Sequence, residues 1–178
     1  MTSPAASPTL RPLTAGDLPA VAALNAAEVP RLGPLEDDAL AAHAVRCELA
    51  LVAVTAEGEV AGFVLALGPG HDYASVNYRW FVARDASRGG GFLYVDRLAV
   101  AAPFRRRGIA SALYDAVEAR ARADGAAEVT CEVNVRPPNP GSLAFHATRG
   151  FVEVGQQDTT GGAIRVALLA KPLGTEER

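Results

Sequence analysis

The sequence predicts a mixed α/β fold, with one twisted mixed sheet of six or seven strands flanked by about four helices. Three observations predict it. Apolar periodicity switches along the chain in the order β-α-α-β-β-β-α-β-α-β-β. Residues 92–135 read as strand, long helix, strand, the pattern of a right-handed parallel crossover. The chain has 178 residues, 49% hydrophobic and 21% charged. That describes one globular domain of ordinary size, able to bury roughly 70% of its unfolded surface.

Each element has a local reason. Residues 1–9 are small, polar and proline-bearing and read as a tail. Residues 10–13 suit a short first strand. Thr14 and Asp17 have the spacing of a capping box, with Asp standing where a longer Glu is usual. Leu18, Val21, Ala22 and Leu24 then support a helix, which Pro30, Gly33 and Pro34 interrupt. A second helix is expected over residues 36–45, with Leu40 and Ala44 on one face. Residues 49–54 and 60–67 form a hairpin around Glu57-Gly58. Residues 71–90 form a long, distinctive segment holding Tyr73, Tyr78, Trp80 and Phe81 and closing on Gly89-Gly90-Gly91.

Residues 92–100 are the best central strand, stopped by Pro103. Residues 108–123 are the best helix, with Ile109, Leu113, Val117 and Ala121 four apart and Asp124-Gly125 as the stop. Residues 128–135 alternate as a strand until Pro137, Pro138 and Pro140 break it. A short helix over residues 142–148 ends at Gly150, and strands over 151–154 and 164–170 follow. The expected organisation is a tail over 1–9, a single domain over 10–172 and a tail over 173–178.

Composition excludes several function classes. The net charge of −3 argues against a general nucleic-acid surface. Cys47 and Cys131 are too few for a disulfide framework and lack zinc-site spacing, so no metal is expected. No apolar run reaches the ~18 residues of a membrane span, and Met1 to Thr9 has no signal-peptide pattern. The default compartment is the cytoplasm, with no membrane partner and with a homodimer left open.

One local exception stands against the acidic total. Arg105-Arg106-Arg107-Gly108-Ile109-Ala110 lies where the long helix begins. A helix start presents backbone N–H groups without intrahelical partners, and its dipole favours an anion. Gly108 and Ala110 leave the backbone open to a phosphate, and arginines add charge-assisted donors. Three cations at a helix N-terminus are electrostatically misplaced unless an anion joins them. A solvated basic cluster is the alternative reading. The P-loop and dinucleotide glycine patterns are both missing.

Val95-Asp96-Arg97-Leu98-Ala99-Val100 followed by Arg105-x-x-Gly108-x-Ala110 resembles the acetyl-CoA motif of the GCN5-related N-acetyltransferases, Arg/Gln-x-x-Gly-x-Gly/Ala. Asn139-x-x-Ser142-x-x-x-His146-x-x-x-Gly150-Phe151 resembles the second motif of that family, usually Asn-x-x-Ala-x-x-x-Tyr-x-x-x-Gly-Phe. The Val-Asn-x-x-Pro-Pro-Asn-Pro run starting at Val133 is similar to a bacterial subgroup of the family. The resemblance in element order covers residues 10–172. It implies the family's acyl-CoA N-acyltransferase fold and acetyl-CoA (coenzyme A) as cofactor. It further implies that Arg105, Arg106, Arg107, Gly108, Ile109 and Ala110 cradle the pyrophosphate. Leu98, Ala99 and Val100 would hold the pantetheine arm, and the strand over 128–135 would splay away to open a cleft. Asn139 and Ser142 would contact the cofactor near the short helix.

The activity so implied is transfer of the acetyl group to a primary amine of a small molecule or amino-acid-like acceptor, by direct attack in a ternary complex. Such an enzyme must take a proton from the amine and protonate the departing thiolate. Asp96 shares a strand face with Leu98 and Val100 and is the candidate base; a structural salt bridge is its alternative. Arg97 points to the other face and reads as structural. At the position of the family's tyrosine this sequence has His146. A phenol near its normal pKa of ~10 stays protonated at neutral pH, whereas an imidazole near ~6.5 is only partly so. His146 is therefore either the general acid or a group that orients water while Tyr94 or Tyr114 supplies the phenol. Cys131 reads as core packing.

On the acceptor side, Tyr73, Tyr78, Trp80 and Asn134 are candidate substrate contacts. The aromatics equally suit an interior strand or a dimer contact. Glu36, Asp37 and Asp38 would attract a cationic amine or simply complement a helix start. Two other functions remain open from sequence. One is acetylation of a protein N-terminus or lysine; the other is acyl-CoA sensing without turnover.

Overall fold

Threonine 14 opens the helical part of the chain by sharing the Asp17 carboxylate. Its backbone N–H and its hydroxyl each lie 2.8 Å from Asp17 Oδ2. The shortened capping box therefore closes, and Arg11 completes it with two 2.7 Å contacts to the same carboxylate. That guanidinium holds the Asp17 carboxyl well below the usual carboxylate range. In the computed structural model, which describes residues 8–29, 31–35 and 37–174, β1 (Thr9–Pro12) leads through this turn into α1 (Leu18–Ala27). Pro19 is accepted there because the first helical turn has no N–H bonds to lose. Glu36 and both expected tails, apart from residues 8, 9, 173 and 174, lie outside the described residues.

The remaining elements are α2 (Asp37–Arg46), β2 (Leu49–Val54), β3 (Val60–Leu67), α3 (Val76–Arg88) and β4 (Phe92–Val100). They continue with α4 (Ile109–Ala123), β5 (Glu128–Arg136), α5 (Pro140–Thr148), β6 (Val152–Thr159) and β7 (Ile164–Pro172). The described residues are thus mixed α/β, with seven strands and five helices among them. The element absent from the expected order is α3. Ser75 caps it by accepting a 3.2 Å hydrogen bond from Tyr78 N, and Gly89 ends it at φ 71°. The aromatic segment is therefore largely helix. The sixth strand also runs further than expected, to Thr159.

The chain divides into two compact units. The first comprises residues 1–66 and 97–116. In it, β1, β2 and β3 form an antiparallel meander, with Leu10 opposite Ala53 and Val52 opposite Phe63. Val21, Leu40, Val52, Phe63, Leu65 and Ala99 make its apolar core. Arg97 is buried beside that core. Its Nη1 donates to Asn25 Oδ1 at 2.7 Å and to the Gly33 carbonyl at 2.6 Å. This is the structural role its strand face predicted.

The second unit comprises residues 67–96 and 117–178. Its strands lie in the order β4-β5-β7-β6, with β4 and β5 parallel and the others antiparallel. One sheet face is covered by α3. Phe81 contacts Phe92 and Tyr94 at 6.3 and 5.7 Å between centroids, and Arg84 pairs with Glu128. Trp80 packs against Gly155 on β6, where a Cβ would come 2.6 Å from the indole. Glycine is required there by close approach. Glu118 on α4 gathers Arg149, just past the end of α5, at 2.8 Å and Lys171 on β7 at 2.7 Å. Among the described residues no helix is long and apolar enough to cross a membrane, and no His/Cys/Asp/Glu group has metal-holding geometry.

Candidate active site

In the first unit, Pro103 ends β4 within a short 3-10 turn over Ala102–Phe104, after which Arg105 is extended. Arg106 then adopts φ 60° and Gly108 φ 80°. A left-handed arginine is uncommon and stores about 1–3 kcal/mol of strain. This alternation of backbone signs is the kind that turns successive N–H groups toward one side and makes an anion-binding concavity. Gly108 O accepts the first α4 bond, from Ala112 N at 2.9 Å. The N–H groups of Ile109, Ala110 and Ser111 therefore precede the helix's own bonding pattern. A Cβ on Gly108 would meet no protein atom within 4 Å. The bare, outward-facing backbone and the arginines around it fit a phosphate group, as the pyrophosphate assignment requires.

The three arginines differ. Arg105 donates from Nε to the Val100 carbonyl at 3.0 Å and pairs with Glu28 at the end of α1. Arg107 stacks over Phe104, 5.6 Å from the ring centroid, and Arg106 is exposed. Ile109 is buried and Ala110 half-buried. On β4, Leu98 and Val100 are half-buried and Ala99 is buried, the alternation a strand imposes.

In the second unit, the β4–β5 ladder joins Phe92–Tyr94 to Glu128–Thr130. Asp96 follows two residues after it and is half-buried. Tyr73 donates its hydroxyl to Asp96 Oδ1 at 3.0 Å. Tyr94 is fully buried and donates to Glu132 Oε2 at 2.7 Å. Burial, reinforced by the negative charges of Glu132 and Asp96, pushes the Tyr94 phenol well above its ordinary value. Tyr94 therefore keeps its proton throughout the neutral range. Tyr78 is 1% exposed, donates to the Gly68 carbonyl at 2.8 Å and accepts from His71 N at 3.0 Å. Packing accounts for Tyr78, and Trp80 is accounted for by Gly155 and by Phe81 at 5.2 Å. Asn134 is buried, and its carbonyl accepts from Asn139 N at 3.1 Å. Tyr114, the other phenol considered, is buried on α4.

At the start of α5, Asn139 is the cap residue, its Oδ1 accepting from Ser142 N at 3.3 Å. One turn later His146 Nδ1 lies 2.7 Å from the Ser142 carbonyl and 3.3 Å from its hydroxyl. A carbonyl accepts only, so Nδ1 carries the proton and neutral His146 presents an unprotonated Nε2. Phe145 and Phe151 stand edge-on to the imidazole at 5.4 and 5.1 Å. Burial lowers its pKa; the Arg149 charge assists and the Ser142 carbonyl opposes.

Two partners escaped the sequence reading, Glu28 for Arg105 and Glu132 for Tyr94. A signal existed for Glu132, which shares its β5 face with Asn134 two residues on. None existed for Glu28.

The family model described as Acetyltransferase (GNAT) family matches residues 20–151. No curated protein matches the chain. Among solved structures, Ard1 from Thermoplasma volcanium is 19% identical with a TM-score of 0.73, over 94% of this chain and 98% of that one. The ribosomal-protein-S18-alanine N-acetyltransferase from Escherichia coli is 20% identical with a TM-score of 0.66, over 96% and 97%. Arabidopsis thaliana NAA60, solved with acetyl-CoA, is 20% identical with a TM-score of 0.70, over 93% and 98%. At these identities the likeness is one of fold.

Proposed function

The chain belongs to the acetyltransferase (GNAT) family, and on that premise we propose that it transfers an acetyl group from acetyl-CoA to a primary amine of a small or amino-acid-like acceptor. The observation that carries the reading is the turn at Arg105–Ala110, where left-handed Arg106 and Gly108 expose backbone at the start of α4. Arg105, Arg106, Arg107, Gly108, Ile109 and Ala110 would hold the pyrophosphate. Leu98, Ala99, Val100, Asn139 and Ser142 would contact the rest of the cofactor. Acetyl-CoA supplies an acyl group already activated as a thioester.

The protein's own work is to bind, orient and move protons. Asp96 accepts the proton of the acceptor amine. Two groups are candidates to return one to sulfur. Tyr94 is the group held protonated at neutral pH. His146 rests neutral with its proton committed to Ser142, so it donates only after taking a second one. Orienting a water through Nε2 suits that resting state better. On the acceptor side Asn134 carries the assignment, because the Tyr73 hydroxyl is committed to Asp96 and Tyr78 and Trp80 pack α3 to the sheet.

A second reading is acetylation of a protein N-terminus. It is favoured by a similar structure being that of an enzyme named for a ribosomal-protein alanine. Purified protein, acetyl-CoA and matched panels of primary amines and short peptides separate the two, with products identified by mass spectrometry. Acetylated small amines support the proposal. Acetylated peptides alone support the second reading. Saturable acetyl-CoA binding with no CoA release on either panel identifies a sensor and overturns both.

A further inference from the structure

We propose that Tyr73 is a positioning residue for Asp96, a role that rests on the reading of Asp96 as base. The segment between β3 and α3 is built to deliver this phenol. Tyr78 grips that segment at two points, Gly68 O and His71 N. Tyr73 N closes a tight turn onto the His71 carbonyl at 3.0 Å, and Arg79 Nε reaches the Tyr73 carbonyl at 3.2 Å. The Tyr73 ring leans on Tyr78, with centroids 5.7 Å apart and planes inclined at 59°. Ser75 caps α3 immediately afterwards. Backbone and ring are thus both fixed before the hydroxyl meets Asp96 Oδ1, 23 residues away in sequence.

A carboxylate's terminal torsion is broad and roughly two-fold, so strand position alone does not fix where its oxygens lie. A phenol O–H donating to an ionised oxygen is a strong, directional restraint. It makes the two oxygens inequivalent and holds the plane of the group. General-base efficiency depends on reaching the amine proton at hydrogen-bond distance, and small misplacements are expensive. In the transfer, the amine proton passes to Asp96 while Tyr73 retains its own. Tyr73 therefore acts through Asp96 and touches no reacting atom.

A double-mutant cycle tests this, using acetyl-CoA and the primary amine with the highest kcat/KM in the panel. Tyr73→Phe keeps the ring packing and removes the bond. It should lower kcat about tenfold, part of the ~10²–10⁴ that a positioned base contributes, and leave the acetyl-CoA Kd unchanged. Added to Asp96→Asn, it should change kcat less than about twofold, because the group it orients is already gone. A crystal structure of Tyr73→Phe should show the Asp96 carboxylate rotated or in two conformers. Equal, additive losses in both backgrounds overturn the proposal and leave Asp96 as base. So does a raised amine KM at unchanged kcat, or an unmoved carboxylate. Full kcat in Asp96→Asn instead removes the base assignment itself.

Discussion

His146 donates from Nδ1 to the carbonyl of Ser142, one helical turn back, at 2.7 Å. The bond fixes the tautomer, and burial between Phe145 and Phe151 depresses the imidazole's pKa below its ordinary 6.5. The unfolded chain then binds a proton before the folded one does. Stability from this group is complete above about pH 6.5 and is lost as pH falls through the folded value. Urea unfolding from pH 7.5 to 5 should show wild type losing stability faster than His146→Gln. Parallel curves would show that the buried imidazole is not a source of acid sensitivity.

The contact between Gly155 and Trp80 makes a second test. A methyl group at Gly155 would stand 2.6 Å from the indole. Both partners lie in packed structure, α3 on one side and the β6 backbone on the other, so neither yields cheaply. Gly155→Ala should lower stability by about 1–3 kcal/mol. In a Trp80→Leu background the same substitution should be close to neutral. An unchanged penalty in that background would place its origin in the β6 backbone rather than the indole.

These contacts show what a sequence pattern can and cannot carry. The strands were legible because alternation and apolar runs are written locally, and the Arg105–Ala110 turn because six adjacent residues hold its chemistry. His146 is legible through the resemblance of Asn139 to Phe151 to the family's second motif. Helix α3 was obscured because its buried face is aromatic, and Tyr78, Trp80 and Phe81 suit a strand as well as a helix. Its signals were Ser75 three residues before Tyr78 and the glycines at its end. The bonds that orient the site were not legible. Tyr73 and Asp96 are 23 residues apart, Tyr94 and Glu132 are 38 apart, and Arg105 and Glu28 are 77 apart. No periodicity spans such distances, because the fold alone brings those partners together.

Arg97 provides a prediction about the first unit. Its guanidinium holds the Asn25 side chain and the Gly33 carbonyl together, and Asn25 Nδ2 itself reaches the same carbonyl at 3.2 Å. Removing the donor leaves the buried Asn25 Oδ1 short of a partner and the Gly33 carbonyl with Asn25 Nδ2 alone. Arg97→Met should destabilise by about 1.5–3 kcal/mol in urea unfolding. Arg97→Lys should recover little, since an ammonium lacks the planar fork. Full recovery by lysine would mean that charge, not geometry, sets the requirement.

The pairing of Arg105 with Glu28 bears directly on cofactor affinity. Glu28 competes for a guanidinium that the proposed pyrophosphate site needs, and Arg105 is largely exposed, so the competition is weak and screened. Glu28→Gln should therefore tighten acetyl-CoA binding by roughly two- to fivefold at low salt, an advantage that shrinks as ionic strength rises. Arg105→Ala should weaken binding, and Glu28→Gln should add nothing in that background. Gly108→Val should weaken it further, because φ 80° strains a β-branched residue and its side chain occupies the space left for the ligand. Isothermal titration with acetyl-CoA reads all four variants. If Glu28→Gln instead weakens binding, the carboxylate serves to hold Arg105 in place, and the competition argument fails while the site assignment stands.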